Sequence, residues 1–260
     1  MAIDLGLVET VIHHALGKVF PAAQIEVRHR GEVMLSRAYG WLDPETRQHS
    51  TQPDTLFDLA SVTKLFVVAA FMTLVEQGRV MLDEPVRTVL PEFKGPRPIR
   101  PYDDPLRPGE WVSIVPPTQE PADAVLVTFR HLLAHHSGLP AWRPLYKEGD
   151  PAGERADAVR QTALQTYFSY PIGARAIYSD LGLILLGMSI ERLTGLALDD
   201  AVRQYVVEPL GLAYTRYLPS MESRAVIGYP PSAIPNIAPT EICAWRGRRL
   251  VGEVHDENAA

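Results

Sequence analysis

The chain has 260 residues, 46% of them hydrophobic, with a formal net charge of −6. That is enough apolar material for one large domain or two intermingled subdomains. A mildly acidic balance without Lys/Arg runs excludes a polyanion-binding surface, so no nucleic-acid partner is expected. The longest apolar run, Leu65–Met72, is too short to span a bilayer, and Met1–Phe20 has no secretory-signal pattern. The expectation is a cytoplasmic protein with no membrane span. A single cysteine, Cys243, has no partner for a disulfide and reads as a structural thiol.

Leu5, Val8, Ile12, Ala15, Leu16 and Val19 recur at helical spacing and predict an amphipathic N-terminal helix of about four turns. Alternation over Gln24–Tyr39, broken at Arg30-Gly31, predicts a β-hairpin that starts an antiparallel sheet. An extended stretch, Thr55–Ala60, then gives way to an apolar helix that stops at Gln77-Gly78. Leu65–Met72 is apolar on every face and predicts a helix buried all round. The segment Pro91–Pro121 carries nine prolines and predicts a long surface loop without regular structure. Further helices are predicted at Phe129–His136 behind Thr128 as N-cap, at about Gly153–Tyr167, at Asp180–Thr194 with Gly195 closing it, and at Asp199–Val207. A helical layer inserted after a hairpin predicts an α+β architecture with a site in a crevice.

The chemistry centres on Ser61-Val62-Thr63-Lys64. Positions i and i+3 share a helix face, so the Ser61 hydroxyl and the Lys64 amine come within reach of one another. A serine hydroxyl is inert until a neighbouring base can take its proton. With 11 Ser and 4 Lys in the chain, one such tetrapeptide arises by chance about 0.17 times, so the motif alone is weak. Its bland reading is a serine N-cap followed by a solvated lysine. The apolar helix beyond it tips the balance, because desolvation there is expected to lower the Lys64 pKa toward that of a general base. Tyr178-Ser179-Asp180 stands before a second apolar helix. With Lys64 beside it, the Tyr178 phenol can relay the serine proton, and Asp180 can accept hydrogen bonds from substrate or from Lys64. Its bland reading is a buried aromatic before an Asp N-cap. His131 and His135 sit at i and i+4, but Leu132 occupies the place of the zinc-hydrolase glutamate, so helix-end bonding or packing is preferred to a metal site. His255-Asp256 is assigned no catalysis.

These residues fall within an ordered set: Val19–Ala23, Tyr39-Gly40, Asp54–Lys64, Gly78–Val86, His131–Pro140, Tyr178–Gly182 and Glu208–Leu212. The set resembles the serine β-lactamase-like family of class C β-lactamases, D,D-peptidases and esterase relatives, over nearly the whole chain. The resemblance implies a single β-lactamase-like domain: residues 1–58 as helix and hairpin, 59–240 as a mostly helical subdomain, and 241–260 as the start of a C-terminal sheet segment. It also implies Ser61 as acylated nucleophile, Lys64 as its proton partner and Tyr178 as the assisting phenol, with no metal or organic cofactor. Asp180 stands where β-lactamases of the family carry Asn, which favours esterase-like relatives. The family's third motif, Lys/His-x-Gly on a C-terminal strand that supplies an oxyanion-hole N–H, is expected past Ala260, so the sheet reads as incomplete and the chain as a fragment. The expected function is therefore a carboxylesterase on small esters. The alternatives are a β-lactamase or D,D-peptidase-type amide hydrolase, or a non-catalytic ligand-binding relative.

Overall fold

The computed structural model describes residues 5–107, 109–113, 120–147, 155–217 and 236–258. The chain divides into two compact units, 1–60 with 218–260, and 61–217.

In the first unit, helix α1 covers Gly6–Ala15. It is shorter than the four predicted turns because Leu16 turns extended and Gly17 is left-handed at φ 75°. Strands β1 (Ala22–His29) and β2 (Glu32–Gly40) form the predicted antiparallel hairpin, pairing Ala22 with Gly40 and His29 with Glu32. Arg30 and Gly31 both have positive φ, as a tight hairpin turn of right-twisted strands demands. A register shift between Val27 and Arg28 leaves one extra residue on β2. Gly40 cannot be replaced, since a Cβ there would lie 2.0 Å from the Pro21 carbonyl oxygen. Leu56 donates to Asn236 at 2.9 Å and accepts from Ala238 at 2.8 Å, which fixes the extended segment that leads to Ser61. Ile242–Cys243 pairs with Arg248–Arg249, and Cys243 is buried and free.

The second unit is built on helix α2 (Thr63–Glu76). Val67, Ala70, Phe71 and Leu74 face the core. The expectation of a helix buried all round is corrected: Leu65 is 67% and Met72 39% exposed, so its apolar residues run beyond the buried face. The proline-rich segment is also corrected. Strands β3 (Pro96–Arg97), β4 (Tyr102–Asp103), β5 (Trp111–Val112) and β6 (Ala122–Asp123) form two short ladders, β3 with β6 and β4 with β5. Proline starves a sheet of donors, but two-residue ladders need few. Buried Arg97 anchors β3 by donating to the Thr166 carbonyl at 2.8 Å while its guanidinium lies 4.7 Å from the Phe93 ring centre.

Helix α3 (Phe129–Leu133) begins at Thr128, whose hydroxyl accepts from the His131 N–H while the His131 ring accepts from the Thr128 N–H. This reciprocal cap saves two orphan donors. Helix α4 is described over Arg155–Gln165; the predicted start at Gly153 lies outside the described residues. Helix α5 (Asp180–Thr194) has the predicted bounds, with Ser179 capping Gly182 and left-handed Gly195 ending it. Helix α6 (Leu198–Val202) continues as a π-type turn over Arg203–Val207. Phe71, Leu74, Phe129, Leu132, Leu181, Leu185, Leu186 and Ile190 join α2, α3 and α5 in one core. Each such side chain contributes roughly 1.5–3 kcal/mol by leaving water. Among the described residues no single helix is long and apolar enough to cross a membrane.

Candidate active site

Ser61 lies on a single 3₁₀ turn, Ala60–Val62, that opens into α2. The N-cap reading fails: Val62 holds the cap position, and no side chain bonds the first helical N–H groups. The exposed Ser61 hydroxyl is therefore free for Lys64, whose Nζ donates to Ser61 Oγ at 3.0 Å. The i, i+3 spacing does what the sequence asked of it.

The same amine reaches α5. Lys64 Nζ lies 2.8 Å from Asp180 Oδ1 with both side chains mostly buried. Oδ1 is closed to solvent and takes no well-aligned hydrogen bond, so charge rather than direction holds this pair. The ammonium also sits 5.2 Å from the Tyr178 ring centre, and the phenol favours the charged amine. The Tyr178 ring is 50% exposed, open to an incoming molecule. Ser61, Lys64, Tyr178 and Asp180, the four residues singled out in the sequence, thus meet around one nitrogen. The Asp-cap reading of the second triplet is corrected, because the capping oxygen comes from Ser179.

The expected depression of Lys64 is reversed. Burial pulls the ammonium down, but contact with Asp180, then with Tyr178, and the charges of both outweigh it and hold Lys64 above its ordinary 10.5. At neutral pH Lys64 is a cation. Breaking this pair from one side has a cost that removing both sides avoids. Lys64→Met should destabilise the protein by about 1–2 kcal/mol by stranding the Asp180 carboxylate, and Lys64→Met/Asp180→Asn should recover most of it. Urea melts of both variants read this directly; a double variant no better than the single one would show the pair to be energetically idle.

His135 was missed as a site residue. It follows α3 in the left-handed region at φ 56°, and its Nδ1 accepts from the Ser179 N–H at 3.1 Å. Its carbonyl accepts from the Ile177 N–H at 2.8 Å, and its ring packs on the Tyr178 ring at 4.8 Å between centres and 35° between planes. Nearby, Pro140 accepts from the Ser179 hydroxyl at 2.7 Å and Ala141 accepts from the Asp180 N–H at 3.0 Å. Residues 135–141 therefore cradle the segment that carries Tyr178 and Asp180. The only sequence signal was the His136-Ser137-Gly138 stop, which marks a turn but not what it holds.

Burial, then the Lys64 charge, push His135 below its usual 6.5 against the opposing pull of Asp180, and burial and the His136 charge lower His131 as well. For a group lowered by folding, the unfolded chain takes up the proton first. Stability is then complete above about pH 6.5 and declines as pH falls toward the folded values. Asn tolerates the left-handed backbone and offers an acceptor. His135→Asn should consequently fold and lose less thermal stability between pH 7.5 and pH 5 than the parent. Equal losses in the two proteins would remove His135 from the balance.

No group of three or more His, Cys, Asp and Glu side chains near enough to hold a metal ion occurs among the described residues. His255 Nδ1 lies 2.8 Å from Thr240 Oγ1, and its N–H donates to Asp58 at 3.1 Å.

A family model described as Beta-lactamase matches residues 8–233. An N-acetylmuramyl-L-alanine amidase of Bacillus subtilis is 29% identical over 97% of this chain and 56% of its own length. The octameric penicillin-binding protein homologue from Pyrococcus abyssi superposes with a TM-score of 0.64 at 24% identity, over 96% of this chain and 51% of that one, a likeness of fold. Simvastatin synthase from Aspergillus terreus superposes with a TM-score of 0.62 at 25% identity, over 96% and 60%. The chain spans about half the length of the curated relatives it matches.

Proposed function

Since the chain belongs to the Beta-lactamase family, we propose that it is a serine hydrolase that cleaves small uncharged esters through an acyl-enzyme. Ser61 is the nucleophile. The Lys64 ammonium donates to Ser61 Oγ and favours negative charge as the hydroxyl is deprotonated. The proton passes by way of Tyr178, which touches the same ammonium, to the departing alkoxide, and water then releases the acyl group. The observation that carries this reading is the convergence of Ser61, Asp180 and Tyr178 on Lys64 Nζ.

Asp180 supports the ester over carboxylate-bearing amides. An ammonium beside an amide side chain leaves one net positive charge to attract an anionic substrate. Here the Asp180 carboxylate, 2.8 Å away, cancels it, so a substrate carboxylate meets no net attraction. The second reading, an amide hydrolase, is favoured by the name of the Bacillus subtilis amidase. Assays with p-nitrophenyl acetate and a chromogenic cephalosporin in parallel separate the two. Under the ester reading kcat/KM favours the ester by about 100-fold or more, and Asp180→Asn narrows that gap by restoring net positive charge. A cephalosporin turned over as well as the ester would overturn the proposal in favour of the amide reading.

A further inference from the structure

Within the helical unit there is a cavity of about 310 Å³ that none of the four residues above lines. Arg100, Asp103, Trp111, Arg143 and Tyr167 line it, and none of them takes part in the proposed reaction. Its volume is at the lower end of what small-molecule sites have. We propose that this cavity is a second ligand site, selective for a small aromatic carboxylate, and that it binds independently of Ser61 chemistry.

Three observations specify the ligand. First, the walls carry the guanidiniums of Arg100 and Arg143 and one carboxylate, Asp103 on β4. Among the described residues no carboxylate forms an ion pair with Arg100, which is exposed and whose place is fixed by its N–H donating to the Phe168 carbonyl at 2.7 Å. Guanidinium recognises carboxylate through two parallel hydrogen bonds. Second, Arg143 is held in place: it donates to Thr166 Oγ1 at 3.1 Å and lies 5.3 Å from the Tyr167 ring centre. A guanidinium spread over an aromatic ring offers a flat platform. Third, Trp111 on β5 leaves 63% of its surface in water while lining the cavity, an apolar wall ready for a flat partner. Cation, platform and indole together suit a planar ring that bears a carboxylate.

Phenylacetate and its neutral isostere phenylacetamide test this. Titrated against the full chain with tryptophan fluorescence and calorimetry as readouts, phenylacetate should bind with Kd of about 1 mM or tighter, and phenylacetamide at least about ten-fold more weakly. Arg100→Gln should weaken phenylacetate about ten-fold; the Arg100 side chain is exposed and makes no ion pair among the described residues, so the substitution leaves the fold intact. Trp111→Phe should remove the fluorescence change while calorimetric binding persists. Ser61→Ala should leave binding as it is. No binding up to about 10 mM, equal affinity for acid and amide, or affinity untouched by Arg100→Gln would each overturn the proposal. So would binding lost in Ser61→Ala, which would assign the ligand to the reaction site instead.

Discussion

Ser61→Ala is expected to lower turnover of p-nitrophenyl acetate by about 10³-fold or more and to abolish labelling by a fluorophosphonate. Under the proposed reading the effect is large because the hydroxyl is the atom that bonds to the acyl group, and nothing else in the cluster can replace it. In that reading Tyr178 and Lys64 move or stabilise a proton, and neither is placed as a second nucleophile. The loss should be clean, since the hydroxyl caps no helix and stands exposed, so melting behaviour should not change. Intact mass taken during turnover should show the parent chain gaining one acetyl group and the variant none. Turnover or acylation that survives in Ser61→Ala would place the chemistry elsewhere and end the acyl-serine reading.

Phe129→Ala is expected to cost about 3–5 kcal/mol. Phe129 is fully buried as the first residue of α3, and its ring meets that of Phe71 at 4.9 Å between centres with a 40° tilt. Phe71 stands two turns along α2 from Lys64. The pair thus clamps the helix that carries the amine to the helix that leads into His135. A truncated side chain loses its transfer energy, its ring contact and the packing of the neighbours that close in on the void. For a unit of this size the midpoint should fall by about 8–15 °C, read by calorimetry. Phe129→Leu, which keeps most of the volume, should cost less than half as much. A change under about 1 kcal/mol for the alanine variant would mean that the core is not held at this contact.

Much of this was legible in the sequence where a local rule governs. Helix α5 has its predicted ends because a capping residue at its start and Gly195 at its stop act within a few residues, although the cap proved to be Ser179 rather than Asp180. The hairpin turn is set by Arg30-Gly31 for the same reason. Ser61 and Lys64 are one turn apart in any helix, and so their contact could be anticipated. What local rules could not give was the charge state of Lys64. That depends on a carboxylate 116 positions away in the chain, at Asp180, and distance in sequence says nothing of a 2.8 Å contact. His135 was overlooked for a related reason: its role lies in a left-handed backbone and an Nδ1 acceptor, and a pair of adjacent histidines does not announce either. The two small ladders in the proline-rich stretch escaped because composition reports average propensity, while each ladder needs only two residues from each strand.

Lys64 Nζ donates to Ser61 Oγ at 3.0 Å, lies 2.8 Å from Asp180 Oδ1 as an ion pair, and sits 5.2 Å from the Tyr178 ring centre. The nitrogen is therefore engaged by two resident oxygens before any guest arrives. A carbonyl oxygen approaching this nitrogen competes with those residents, so ground-state affinity is drawn mainly from other groups. Under the proposed acyl-serine reading, Ser61 Oγ as part of an ester is a weaker acceptor, and the N–H it vacates is available at the stage when water has to be brought in.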